Sequence, residues 1–305
     1  MTPLKTNGGA DGYSSYDLTS TLIRVGGVLA GGNMTFKNIL VHIDDSSHCR
    51  RRLGIAVKLA TDFQAELVSL YAVPMRELTP SVAALLPTDV VARRLRESGE
   101  AQQRAEELFR ETARSAGLTA IEWRAPAGPS IESAIAHSRC ADLAVLGQRD
   151  PGDADFAFVE ELTEAVLLSC GRPCLVVPYA AVPTTIGQRI LVAWDGGREA
   201  SRAVGDALPL LVKASKVTVM SVSPATGATS RLAGYLRAHG IDAAIDHSVI
   251  DDIKIGEWLL SRAADMGVDL IVMGAYAHTR LRDLVLGGVT RTMLASMTVP
   301  VFMSH

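Results

Sequence analysis

Two aspartates and two glycines stand at matching places along this 305-residue chain. Asp44 is the sixth residue of ILVHIDDS and Asp195 the sixth of ILVAWDGG, while Gly147 ends ADLAVLG and Gly274 ends VDLIVMG. A carboxylate at a strand end can accept hydrogen bonds from an adenine amine or from ribose hydroxyls, and a glycine lets backbone approach a ligand closely. Farther on, Gly287, Gly288, Val289 and Thr290 open a helical stretch. A helix start with bare N–H groups is a natural phosphate cradle, and Thr290 adds a hydroxyl. His278, Arg280, Arg282 and Arg291 bring positive charge, with only Asp283 against them. The first half departs from this pattern. No glycine pair opens the helix before Pro173, and Asp150, Asp153, Asp155, Glu160, Glu161 and Glu164 crowd the corresponding place. Like charge there disfavours a polyphosphate, so the first site reads as degenerate.

The elements that must hold these residues recur. ILVHIDDS and ILVAWDGG begin 151 positions apart; LVSLYAVP and VTVMSVSP end 150 apart; ADLAVLG and VDLIVMG end 127 apart; Pro173 of RPCLVV and Pro300 of TVPVFM are again 127 apart. Four blocks in register, with about 24 extra residues in the first half, indicate a duplicated unit. Each block is a short, continuous, β-branched apolar run, the mark of a parallel strand buried on both faces. Amphipathic stretches lie between them: Cys49, Leu53, Ala56, Val57 and Ala60; Ala101, Ala105, Leu108, Thr112 and Ala113; Val204, Ala207, Leu208 and Leu211, where Pro209 is expected to bend or end the helix. Alternating strands and helices predict an α/β fold of two doubly wound, parallel, five-stranded sheets. In such a sheet, ligands sit beyond the carboxyl ends of the strands where strand order reverses, which is where the aspartates and glycines fall.

Boundaries follow from composition. Residues 1–35, with seven glycines in the first 33, read as a disordered extension, with Met34 as a candidate natural start. Residues 36–178 and 189–305 read as the two domains, and 179–188, with Pro and Gly and no periodic face, as their linker. The stretch Met75–Ser98 is expected to be an amphipathic helix over its own sheet, or an interface if Leu85, Leu86, Val90 and Val91 are exposed.

Composition excludes several classes. A net charge of −3 gives no electrostatic help toward nucleic acid. No apolar run reaches the roughly 20 residues needed to span a bilayer, and LIRVGGVLAGG fails as a signal peptide, so a cytoplasmic protein without membrane contact is expected. Cys49, Cys140, Cys170 and Cys174 show no CxxC pair or metal spacing and read as buried, reduced thiols, with no structural metal. His42 reads as a packed or hydrogen-bonded histidine rather than half of a catalytic His–Asp pair. No P-loop, pyrophosphatase loop, nucleophile elbow or HExxH motif occurs.

The segment from Gly274 resembles the nucleotide loop of the universal stress protein family, Gly-x2-Gly-x9-Gly-[Ser/Thr]: Gly274, two residues, Ala277, nine residues, Gly287, Gly288. Ala277 replaces the second glycine and Gly288 the usual hydroxyl residue. The resemblance extends over both first strands with their aspartates and both final strands, and so implies two Rossmann-like domains, of the adenine nucleotide alpha hydrolase-like type, in tandem. It implies that Ala193, Trp194 and Asp195 hold adenine and ribose and that Val222 flanks the base. Met273, Gly274, Ala277, His278, Gly287, Gly288, Val289 and Thr290 would line the ribose and phosphates. It further implies binding of ATP or another adenine nucleotide, with Mg as a possible companion and slow hydrolysis at most. No residue presents itself as a general base. The alternative is a homo-oligomeric interaction scaffold with a vestigial site. Family members pair through the final edge strand, so CLVVPY at 174–179 and VPVFMS at 299–304 can pair with each other, as an intramolecular pseudo-dimer, or with a second chain.

Overall fold

The computed structural model describes residues 35–74, 85–126, 130–180, 185–221, 227–247, 255–276 and 288–305. The expected extension 1–35 therefore lies outside them, apart from Thr35, as do residues 75–84 of the inserted stretch. In the first half the order is β1 (Asn38–Ile43), α1 (Cys49–Phe63), β2 (Glu66–Tyr71), α2 (Thr88–Ser115), β3 (Ile121–Arg124), α3 (Ser130–Ser138), β4 (Leu143–Gly147), α4 (Phe156–Ser169) and β5 (Cys174–Val177). The second half repeats it: β6 (Arg189–Trp194), α5 (Arg198–Leu211), β7 (Lys216–Ser221), α6 (Gly227–Ala238), β8 (Ala243–His247), α7 (Ile255–Asp265), β9 (Leu270–Gly274), α8 (Gly288–Ser296) and β10 (Val301–Ser304). All four sequence blocks in each half are strands. Pro209 falls in the last turn of α5, which ends two residues later at Leu211.

The strands form one sheet in the order β3-β2-β1-β4-β5-β10-β9-β6-β7-β8. Each half is a parallel five-stranded sheet whose order reverses between its first and fourth strands, where Leu40 faces Ala144 and Leu191 faces Ile271. The halves meet at β5 and β10, which pair antiparallel with Phe302 opposite Leu175. The two segments expected to pair with each other do so within the chain.

Alternation along the strands loads both faces. Ile39, Val41 and Ile43 point into one core, under α1, α2, α5 and α6. Leu40, Ile271 and Met273 point into the other, under α3, α4, α7 and α8. Continuous apolar runs follow because neither face of a central strand meets water. α2 covers the sheet only through its C-terminal part, with Ala105, Phe109 and Ala113 buried. At its other end Leu85 is exposed while Leu86, Val90 and Val91 are half-buried.

Two further aspartates pin the register. The Asp142 carboxylate accepts from the backbone N–H of Lys37 and Asn38 at 2.7 and 3.0 Å, ahead of and at the start of β1. Asp269 repeats this, accepting from Gln188 N–H at 3.1 Å, Arg189 N–H at 2.9 Å and the Thr185 hydroxyl at 2.7 Å. Each carboxylate satisfies donors that the sheet edge leaves open, which is why the third block of both halves carries an aspartate before its strand.

Candidate functional site

The carboxyl ends of β1 and β4 in one half, and of β6 and β9 in the other, form two equivalent crevices with different chemistry. In both, the aspartate closing the first strand folds back onto the next turn. Asp44 Oδ1 accepts from the Ser46 N–H at 3.1 Å and the Ser46 hydroxyl at 2.7 Å. Asp195 Oδ1 accepts from the Gly197 N–H at 2.7 Å.

The crevices differ at the next helix. α1 carries Arg52, a buried arginine whose Nη2 lies 2.9 Å from Asp44 Oδ2 and whose Nε donates to the His42 carbonyl at 2.7 Å. The ion pair is close but out of line for a hydrogen bond, so Asp44 Oδ2 and Arg52 Nη2 are matched in charge and lack hydrogen-bond partners. Burial pushes the Asp44 carboxyl up, but the Arg52 guanidinium, His42 and the two Ser46 hydrogen bonds together outweigh it and hold the group well below the usual carboxylate range. His42 sits behind them, buried, with Nε2 2.7 Å from the Ala72 carbonyl. A carbonyl only accepts, so Nε2 carries the proton and Nδ1 is bare. Burial, seconded by Arg52, lowers its pKa from 6.5 to about 4. His42 is thus a neutral core histidine, hydrogen-bonded as expected. Counting 151 positions on from Arg52 gives Ala203, fully buried in α5. Among the described residues Asp195 forms no ion pair, and its side chain is exposed.

The two glycines also serve different neighbours. A Cβ on Gly147 would fall 2.3 Å from Arg52 Nη1, so this glycine makes room for the guanidinium. A Cβ on Gly274 would fall 2.5 Å from Ala200 N and 2.7 Å from the Glu199 carbonyl carbon, so this one admits the first turn of α5 against β9. Gly274 is required by packing against backbone whether or not a ligand is present, whereas a side chain at Gly147 would displace the Arg52 guanidinium.

The first crevice holds a cavity of about 360 Å³ lined by Asp44, Asp45, His48, Asp150, Asp153 and Phe158 among others. His48 Nε2 stands 2.7 Å from Asp150 Oδ2 at its mouth. The first crevice thus offers room with an acidic lining. For a polyphosphate charge decides, because each carboxylate–phosphate contact near 4 Å costs about 1–4 kcal/mol in water-like to surface-like surroundings.

In the second crevice Ala193 and Trp194 are half-buried ahead of Asp195, and Met273 is buried ahead of Gly274. Trp194 leans onto the core under α5. Tyr276 buries on the opposite face, edge-on to His305 with ring centroids 5.9 Å apart. Gly288, Val289 and Thr290 begin α8, which has no acidic residue in its first turn, and a Cβ on Gly288 would meet nothing within 4 Å. Thr290 is buried, and its hydroxyl accepts from the Tyr276 N–H at 3.1 Å, clamping the end of β9 to the start of α8. Tyr276 has φ 61°. A non-glycine residue there costs roughly 1 kcal/mol. Val222, Ala277, His278 and Gly287 lie outside the described residues. Among the described residues no group of three or more His, Cys, Asp and Glu is placed to hold a metal ion.

Arg52, Asp142 and Asp269 were not among the residues singled out by sequence. The aspartates carried a readable signal, the repeated Asp of ADL and VDL. Arg52 carried none, since Arg50, Arg51 and Arg52 form a run that resembles a solvated face. Among the cysteines, Cys49, Cys170 and Cys174 are buried, but Cys140 is exposed, contrary to expectation: it follows the end of α3 in the turn before β4.

A model described as the universal stress protein family matches residues 35–178 and 228–305. A universal stress protein of Synechocystis sp. is 27% identical over 169 residues, which are 52% of this chain and 56% of that protein, so the match spans little more than half of that relative's length. The solved structure of a universal stress protein from Archaeoglobus fulgidus superposes with a TM-score of 0.66 at 19% identity, covering 88% of this chain and 97% of the other. A functionally unknown protein from Pseudomonas aeruginosa PAO1 does so at 0.51 and 18%, covering 88% and 92%. At these identities the superpositions speak for the fold.

Proposed function

This chain belongs to the universal stress protein family, and we propose that it serves as a stress-response protein by binding an adenine nucleotide, ATP first among the candidates, in the crevice of its second half. The observation that carries this reading is the pair of aspartates. Asp44 is taken up by Arg52, whereas Asp195, with Ala203 in the corresponding helical place, is exposed at the strand end. The described residues fit such a ligand: an open carboxylate for adenine or ribose, and Gly288 and Val289 at a helix start with no side-chain obstruction or acid. Ala193, Trp194 and Asp195 would take base and sugar, with Val222 beside the base. Met273, Gly274, Ala277, His278, Gly287, Gly288, Val289 and Thr290 would take ribose and phosphates, Thr290 chiefly by positioning the Tyr276 turn. Magnesium, where it accompanies the nucleotide, would be held mainly by phosphate oxygens. The reading includes two family domains, 36–178 and 189–305, joined by 179–188, and a cytoplasmic location. Among the described residues no helix is long and apolar enough to cross a membrane.

Calorimetric titration with ATP tests it. One nucleotide per chain is expected, with Asp195→Ala weakening binding about tenfold or more, the size of one lost hydrogen bond to a charged group, and Asp44→Asn leaving it unchanged. Equal effects of the two substitutions refute the asymmetry. No heat at millimolar nucleotide refutes the reading and leaves an interaction scaffold with a vestigial site, a role that suits the internal β5–β10 join.

A further inference from the structure

Cys170 and Cys174 lie four residues apart and look unrelated in sequence, since a Cys-x3-Cys spacing is neither the redox nor the zinc pattern. The fold brings them together. Cys170 caps the end of α4 and Cys174 begins β5, so the chain reverses between them through Gly171, Arg172 and Pro173, with Gly171 at φ 67°. Their sulfurs stand 3.9 Å apart. A disulfide needs about 2.0 Å, a closing of roughly 2 Å. The Arg172 N–H donates to Cys170 Sγ at 3.3 Å, and Cys174 is fully buried while Cys170 retains slight exposure.

The surroundings differentiate the two thiols. Cys170 is lowered to about 7, first by the hydrogen bond between its sulfur and that of Cys174, with backbone N–H donors and the Arg202 guanidinium helping against burial. Cys174 is raised in turn by the same hydrogen bond and by burial. A thiolate-prone, slightly exposed sulfur backed by a protonated, buried partner is the arrangement of an attacking and a resolving cysteine. The loop is also a seam element. Arg202 of α5, in the second half, donates across to the Gly171 carbonyl and also to the His305 carbonyl of its own half, and Cys174 lies opposite Met303 of β10.

We propose that Cys170 and Cys174 are a redox modification site, closing to an intramolecular disulfide on reaction with a small hydroperoxide. The Cys170 thiolate attacks one peroxide oxygen; the S–O bond forms, the O–O bond breaks, and the departing hydroxide takes a proton to become water. The Cys174 sulfur then attacks the sulfenic sulfur; the S–S bond forms, the S–O bond breaks, and hydroxide leaves with the Cys174 proton as a second water. The two sulfurs give up two electrons in total and the peroxide accepts them. Slight exposure of Cys170 restricts the oxidant to one the size of hydrogen peroxide.

The test uses the full chain treated with hydrogen peroxide at neutral pH, digested and weighed. Trypsin does not cut Arg172–Pro173, so both cysteines stay in one peptide. That peptide is expected to lose the mass of two hydrogens and to regain it with dithiothreitol. In Cys174→Ala, whose small apolar replacement suits a buried site, Cys170 is expected to accumulate as sulfenic acid and to be trapped by dimedone about tenfold more than in the parent. An unchanged peptide mass in the parent while Cys140 oxidises would overturn the proposal. So would equal dimedone trapping in parent and variant. The parent measurement stands even where the variant folds poorly.

Discussion

The Arg52 guanidinium lies 2.9 Å from the Asp44 carboxylate, and both side chains are buried. Two copies of one fold thus differ by a buried cation at the mouth of one crevice. Removing one partner of a buried ion pair leaves an uncompensated charge, at a cost of about 3–5 kcal/mol. Arg52→Met is therefore expected to lower the urea midpoint markedly. The double variant Arg52→Met, Asp44→Asn should recover most of the loss, and full additivity would argue against the coupling.

The pH dependence of stability has a window set by His42. Its folded pKa, about 4, lies below its unfolded value of 6.5. Between those values the unfolded chain binds the extra proton, so this contribution is complete above pH 6.5 and lost as pH falls toward 4. It amounts to roughly 3 kcal/mol. The Asp44 carboxyl is also depressed, but its contribution is lost only below the unfolded carboxylate pKa of about 4, outside this window. Denaturant melts of the parent at pH 7 and pH 4.5 should differ, and His42→Asn should flatten that difference.

Glycine substitutions separate packing from binding. Gly274→Ala drives a Cβ into the backbone of α5 and is expected to cost about 1–3 kcal/mol of stability in the absence of any ligand. Gly288→Ala has open space and helical placement, so its melting temperature should stay level or rise while ATP affinity falls.

Asp269 ties three donors at the start of the second half. Asp269→Ala is expected to cost about 1–3 kcal/mol, since three partly exposed donors lose a charged acceptor. Amide exchange at Gln188 and Arg189 should quicken before exchange elsewhere in β6.

Strands and switch points were legible in this sequence because residues such as Ile39, Leu40 and Val41 serve two buried faces and leave an unbroken apolar run. The positions of Asp44, Asp195, Gly147 and Gly274 followed from that. What stood beside them did not. Whether Arg52 turns inward depends on the contact between α1 and β4, which periodicity does not encode, and Gly274 answers to the packing of α5 before any ligand. The Cys170–Cys174 approach arises from a chain reversal between a helix end and a strand start, where sequence distance says little about separation.

The antiparallel meeting of β5 and β10 carries one more implication. A symmetric dimer built across such an edge falls apart on dilution, and every change in one subunit appears in the other. Here a covalent chain supplies the second copy, so the joint is independent of protein concentration. Each side is then free to drift alone, one acquiring a buried arginine and the other keeping an alanine.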